Sequence, residues 1–157
     1  MVSSRSIRRT VHSVRSLPKE DVNLLFRAMA LESSVRIALW VVPYRTVRAR
    51  IDRLSRPRRS GPPPTPRLAD RIGWAVRNAA RLVPASTCLI QALAASLMLR
   101  RAGLPAELHI GVAREGETGL RAHAWVDVDG RAIVGDHDLA RLVALRAPSS
   151  ASDPQPG

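Results

Sequence analysis

From Val22 onward the apolar positions fall at helical spacing, through Val22, Leu25, Phe26 and Met29, and the pattern continues to Val35 and Leu39. Pro18 suits the first position of this helix, and Glu20 and Asp21 then favour its positive end. Pro43 ends or kinks it, and Thr46 to Leu54 reads as a short basic helix. The stretch SRPRRSGPPPTP, Ser55 to Pro66, cannot sustain regular hydrogen bonding and reads as a linker or exposed loop. The next helix begins at Pro66 with Thr65 placed to cap it. Leu68, Ile72, Ala75, Val76, Ala79 and Leu82 share its apolar face, and Pro84 is expected to stop it. Another helix starts near Ser86 or Thr87, runs through CLIQALAASLMLRRAG and closes at Gly103. Apolar residues surround most of its circumference, which predicts a buried central helix, and Arg100 and Arg101 suit its negative end.

Past Pro105 the period changes from helical to two. Leu108, Ile110 and Val112 alternate with Glu107, His109 and Gly111. After a polar loop, REGETG, the residues Leu120, Ala122, Ala124, Val126 and Val128 alternate with Arg121, His123, Trp125 and Asp127. Asp129-Gly130 is a two-residue hairpin turn, with Arg131 to Val134 as the returning strand. Helices, a central helix and then an antiparallel sheet make an α+β fold. The expected organisation is a basic disordered tail over 1–16, an N-terminal helical segment over 17–55 and a Pro/Arg-rich linker over 56–66. The core follows over 67–146, and a Ser/Pro/Asp-rich disordered tail over 147–157.

The length of 157 residues suits one domain. The net charge of +12 is carried almost wholly by arginine, Lys19 being the only lysine, and it invites an acidic partner. Arginine, alanine and proline rising together without lysine is also the mark of GC-rich coding. Aromatics at 3% leave little for base stacking, so nucleic acid is not an expected partner. One cysteine excludes an internal disulfide and a multi-cysteine metal site. Met1 to Arg15 has no apolar region of the secretory kind, and the longest apolar run, Ile37 to Val42, is far shorter than the roughly 20 residues of a spanning helix. A soluble, cytoplasmic protein is expected. Membrane contact through Trp40 and the arginines after it is not.

The thiolate is the reactive form of cysteine, and the unpaired N–H groups of a helix start favour it. Cys88 stands at such a start, although a lone cysteine is more often a small buried hydrophobe. His123, projecting with Trp125 from the face opposite Val126 and Val128, is the candidate base. If Asp129 and Gly130 are the whole turn, Val128 pairs with Arg131, and the same register carried along the strands sets His123 opposite Asp136. Their Cβ atoms would then lie about 4.5–5.5 Å apart, the separation an orienting carboxylate needs. Asp127 shares the face but lies about 13 Å along the strand. Asp138 is a diagonal neighbour and the reserve candidate, and Asp129 belongs to the turn. His109 is expected to share its face with no chemical partner, His137 to point away, and His12 to lie in the tail. No spacing makes a metal site and no Gly-rich loop suggests a nucleotide, so no cofactor is expected.

A cysteine, then a histidine in HAWVDVDG, then an aspartate after the hairpin is the order of the transglutaminase-like cysteine protease superfamily. More narrowly, TCLIQALAASLMLRRAGLPAELHIGV and RAHAWVDVDGRAIVGD resemble the leader peptidases of lasso-peptide biosynthesis. LFRAMALESSVRIALWVVPYRTV resembles that family's N-terminal helical segment. The resemblance implies a transglutaminase-like, papain-like core, a triad of Cys88, His123 and Asp136, and a ribosomally made precursor peptide as substrate. Gly135 stands where the family's aspartate usually stands, with Asp136 one later, which a hairpin without a bulge would accommodate. The chain resembles the split form, so the implied partners are a separate winged-helix leader-recognition protein and a cyclase resembling asparagine synthetase. Trp125 is a candidate wall of the substrate groove. The rival readings are another Cys-His-Asp acyl-transfer enzyme of the same fold and a catalytically inert basic binding module.

Overall fold

The computed structural model describes residues 18–55, 65–115, 119–135 and 143–144. Helix α1 spans Lys19–Val41. Pro18 is its N-cap rather than its first helical residue, because ψ 142° keeps Pro18 extended, and its carbonyl accepts from Asp21 N and Val22 N. The helix ends where Val42, preceding Pro43, is driven to extended backbone. Helix α2, Tyr44–Leu54, follows at once. Helix α3, Pro66–Ala79, has the expected cap, with Leu68 N donating to Thr65 Oγ1 at 3.3 Å. It stops at Ala79 and not at Pro84: Arg81 N and Leu82 N donate to Asn78 O and Ala79 O, so tighter i→i+3 turns unwind it upstream of the proline. Leu82 therefore leaves the helical face.

Helix α4, Cys88–Arg101, begins at the Thr87 cap and closes as its sequence requires. Gly103 adopts φ +84°, while Gly103 N and Leu104 N donate back to Arg100 O and Leu99 O. Four antiparallel strands follow: β1 Ala106–Glu115, β2 Gly119–Val128, β3 Arg131–Val134 and the two-residue β4 Val143–Ala144, in the order β3-β2-β1-β4. The first two strands run into both ends of the loop expected at REGETG. Asp129 and Gly130 both have positive φ, the backbone of a type I′ turn.

Ala106, Leu108 and Ile110 of β1 and Ala124, Val126 and Val128 of β2 face the helices. Ala106, Ala124, Val126 and Val128 join Ala92, Ala95, Met98 and Leu99 of α4, together with Leu25 and Ala28 of α1 and Ile72 and Val76 of α3, in one core. A second cluster lies on the other side of α4, where Ile90, Leu93 and Leu97 meet Val35 of α1 and Val47 and Ile51 of α2. Among the described residues no helix is long and apolar enough to cross a membrane.

The register of the hairpin corrects the expectation. Val128 pairs with Arg131 and Asp127 with Ala132, but Val126 then pairs with Val134, so Ile133 is an extra residue in a β-bulge. The core explains it. Strict alternation would send one of Ile133 and Val134 to solvent, whereas both are buried, and Ile133 lies against Gly73 of α3. Arg77 Nη1 donates to the freed Ile133 carbonyl at 2.6 Å.

A methyl group at Gly73 would sit 2.8 Å from Ile133 Cγ2 and 2.9 Å from Ile133 O. Gly73→Ala is therefore expected to cost about 1–3 kcal/mol by overpacking, despite the better helix propensity of alanine. Thermal denaturation checks this, and an unchanged or raised Tm would show that α3 and β3 do not approach so closely.

Candidate active site

Cys88 is the first residue of α4, half-buried and with a free thiol. The Thr87 cap takes Ile90 N on its side-chain oxygen at 3.4 Å and Gln91 N on its carbonyl at 3.0 Å. A position so early in the helix leaves the N–H groups of Cys88 and Leu89 without intrahelical acceptors, available to an anion. The segment delivering Cys88 is strained. Ala85 adopts φ +53°, a left-handed conformation that costs a residue with a side chain on the order of 1–2 kcal/mol. Helix α1 holds this turn from both sides of Ala85. Arg36 Nη1 donates to Pro84 O at 2.6 Å, and Ser86 Oγ donates to Glu32 Oε2 at 2.7 Å.

Glu32 is fully buried, and that burial raises its pKa above 4.5, the Ser86 hydroxyl opposing the shift. Its Oε1 has no hydrogen-bond partner among the described residues. The sequence reading passed over this group, yet a signal was present. The buried side of α1 reads Leu25, Ala28, Glu32, Val35, a carboxyl at a core position of an otherwise apolar stripe.

His123 lies on β2, on the face opposite Ala124 and Val126, half-buried beside Trp125 with ring centroids 6.4 Å apart. Its Nε2 is 2.8 Å from the Gly135 carbonyl oxygen. A carbonyl only accepts, so Nε2 carries the proton and donates, and the neutral ring keeps its lone pair on Nδ1. The bulge makes this contact. It sets Gly135, φ +82°, beside Trp125, where a Cβ would come 2.6 Å from Ala124 O. The unbulged register that set Asp136 opposite His123 is thereby overturned. Asp136, Asp138, His137 and His12 lie outside the described residues.

Cys88 packs against the core on the side of the sheet that α4 covers, whereas His123 leaves β2 on the other side. Among the described residues no hydrogen bond joins the two. His109, expected to be alone, has partners. It stacks on Trp125 at 5.2 Å, so Trp125 lies between the two histidines, and its Nε2 is 2.9 Å from Asp127 Oδ2 and 3.9 Å from Glu107 Oε2. The Asp127 contact is short but off the N–H axis, so it is not a directed hydrogen bond. Glu107, His109 and Asp127 hold one donor atom each within 4.8 Å of one another. That donor set suits a divalent cation, but such groupings of exposed acidic side chains are common without one. Cross-strand pairing of Glu107 with Asp127 creates it, which spacing along the chain does not reveal.

A family model described as the transglutaminase-like superfamily matches residues 29–147, spanning α1 through β4. No curated protein and no solved structure matches the chain.

Two outcomes follow from these contacts. The ¹⁵N shifts of neutral His123 should show the proton on Nε2, and Gly135→Ala should mix the tautomers by displacing the carbonyl; a proton on Nδ1 in the parent protein would break the assignment. Glu32, raised in the folded state, contributes its full stability below pH 4.5 and loses it as the pH rises through the folded value. Stability relative to Glu32→Gln should therefore fall on going from acid to neutral pH, as denaturant titrations at several pH values would show. A pH-independent difference would mean that the carboxyl is not desolvated.

Proposed function

We propose, since the chain belongs to the transglutaminase-like superfamily, that it is a cysteine peptidase removing the leader from a ribosomally made lasso-peptide precursor. The superfamily includes cysteine proteases and acyltransferases. The observation that carries the reading is the sole cysteine opening a Thr-capped helix, where a thiolate and an oxyanion both find unpaired N–H groups.

In this mechanism Cys88 Sγ attacks the carbonyl joining leader and core. His123 accepts the thiol proton on Nδ1 and returns it to the leaving amine, and water then hydrolyses the thioester with His123 as base. The Cys88 N–H donates to the oxyanion. Hydrogen bonding of Nε2–H to Gly135 O supports the required tautomer, and Asp136, with Asp138 in reserve, is proposed to accept from Nε2–H in place of that carbonyl when the triad forms. The reading requires Nδ1 to come within hydrogen-bond reach of Sγ, which takes a rearrangement of β2 or of the turn before Cys88, because the two side chains leave opposite sides of the sheet. Trp125, stacked beside His123, is proposed to wall the substrate groove.

The proposed partners are a separate winged-helix leader-recognition protein and a cyclase resembling asparagine synthetase. The exposed Arg45, Arg50 and Arg53 on α2 are the proposed docking surface. Arg48 is less available, because it shares Asp52 with Arg100 at 3.1 and 2.8 Å.

The test is mass spectrometry of a leader–core peptide incubated with the chain, with and without the leader-binding partner. Cys88→Ala should retain the circular dichroism of the parent and lose at least about tenfold in cleavage, a barrier increase of about 1.4 kcal/mol. The partner should accelerate the parent at sub-saturating peptide. Cleavage surviving in Cys88→Ala would remove the nucleophile, and an amide product in place of a free acid would point to acyl transfer to an amine.

A further inference from the structure

The three residues before the Thr87 cap have an unusual combination of properties. Ala85 is left-handed, its neighbours on both sides are hydrogen-bonded to α1, and one of those bonds ends on a carboxyl with no solvent exposure. Glu32 and Arg36 are one helical turn apart, so they project from the same side of α1 and reach Ser86 and Pro84 in order. Each bond spans a long stretch of chain, with sequence separations of 54 and 48 residues. A left-handed alanine persists only where its surroundings over-determine it. Here the surroundings are these two bonds together with the turn's own bond from Ser86 N to Val83 O at 3.3 Å, and the residue they lead to is Cys88.

A core position facing apolar neighbours is a costly place for a carboxyl, and leucine or methionine would serve packing better. Glu32 satisfies one oxygen with the Ser86 hydroxyl and leaves the other unpartnered among the described residues. Packing therefore does not account for it. We propose that Glu32 is a positioning residue, assisted by Arg36, which clamps the left-handed Pro84–Ser86 turn and so fixes where the Cys88 thiol stands relative to the first N–H groups of α4. This rests on the reading of Cys88 as the nucleophile. Glu32 acts through Ser86 and touches no reacting atom. Because the bond needs an acceptor and not a charge, glutamine can replace glutamate in it.

The sole cysteine makes the test direct. Alkylation of Cys88 by iodoacetamide at neutral pH is measured for the parent, Glu32→Ala, Glu32→Gln and Ser86→Ala, alongside kcat and KM on a leader–core peptide and helix content by circular dichroism. Glu32→Ala and Ser86→Ala should alkylate several-fold more slowly and lose about tenfold in kcat with KM nearly unchanged, while Glu32→Gln stays within about twofold of the parent. Should Glu32→Ala fail to fold, Ser86→Ala removes the same bond from the turn side and decides alone. Parent-like alkylation and kcat in Ser86→Ala would overturn the clamp, as would a raised KM with kcat intact, or a Glu32→Gln as slow as Glu32→Ala. The alkylation arm needs no peptide. Slowed alkylation rescued by glutamine, in a protein that cleaves no leader, would keep the clamp and remove the peptidase reading.

Discussion

Burial of α4 on nearly all sides is the constraint on which the rest of the structure depends. Ala92, Leu93, Ala94, Ala95 and Leu99 are fully buried, and the alanines among them let neighbouring elements approach the helix closely. One side meets α1, α3 and the sheet, and another meets α2 and the C-terminal half of α1. Side chains of the Leu and Ile class each contribute about 1.5–3 kcal/mol on burial, and α4 has nine buried residues against six on α3, four on α1 and two on α2. Only the helix ends escape this enclosure. Arg100 and Arg101 occupy one end, bonding to Ala106 O and Leu54 O, and Cys88 occupies the other. The Cys88 thiol thus stands at the edge of the core.

The same demand for apolar contact reaches the histidine by a longer route. Packing α3 closely on the hairpin requires both Ile133 and Val134 inside, and two consecutive inward residues require a bulge. The bulge carries Gly135 to a place only glycine fits, and its carbonyl meets His123 there. A packing requirement under Gly73 therefore selects which imidazole nitrogen holds a proton on the far side of the sheet. Core packing and site chemistry are connected here by the backbone of a single short strand.

Where α1 crosses the start of α4, the core accepts polar groups it would otherwise reject. Glu32 is costly in that position, and its compensation is a single hydroxyl bond. The ion pairs of Arg71 with Glu20 and Asp21 tie the start of α1 to α3 nearby, but they are solvent-screened and modest. The contrast separates two kinds of polar contact in this fold. Surface pairs adjust the packing of α1, whereas the buried one shapes the approach to Cys88.

What the sequence determined by itself was local. Helix positions, the Thr65 and Thr87 caps, the closing Gly103, the Asp129-Gly130 turn and the alternation of β1 and β2 all follow from contacts within a few residues of chain. So does the placement of Cys88 at a helix start, and the order of these elements made the α+β character legible. Tertiary structure decided what depends on distant chain segments. It ended α3 at Ala79, bulged the hairpin at Ile133, brought Asp127 to His109, and joined Glu32 and Arg36 to the turn before Cys88. These outcomes come from filling one core with elements of fixed shape. A periodic pattern states which side of an element is apolar, but it does not state how closely a neighbour must approach it. Register, tautomer and clamp are all set by that distance.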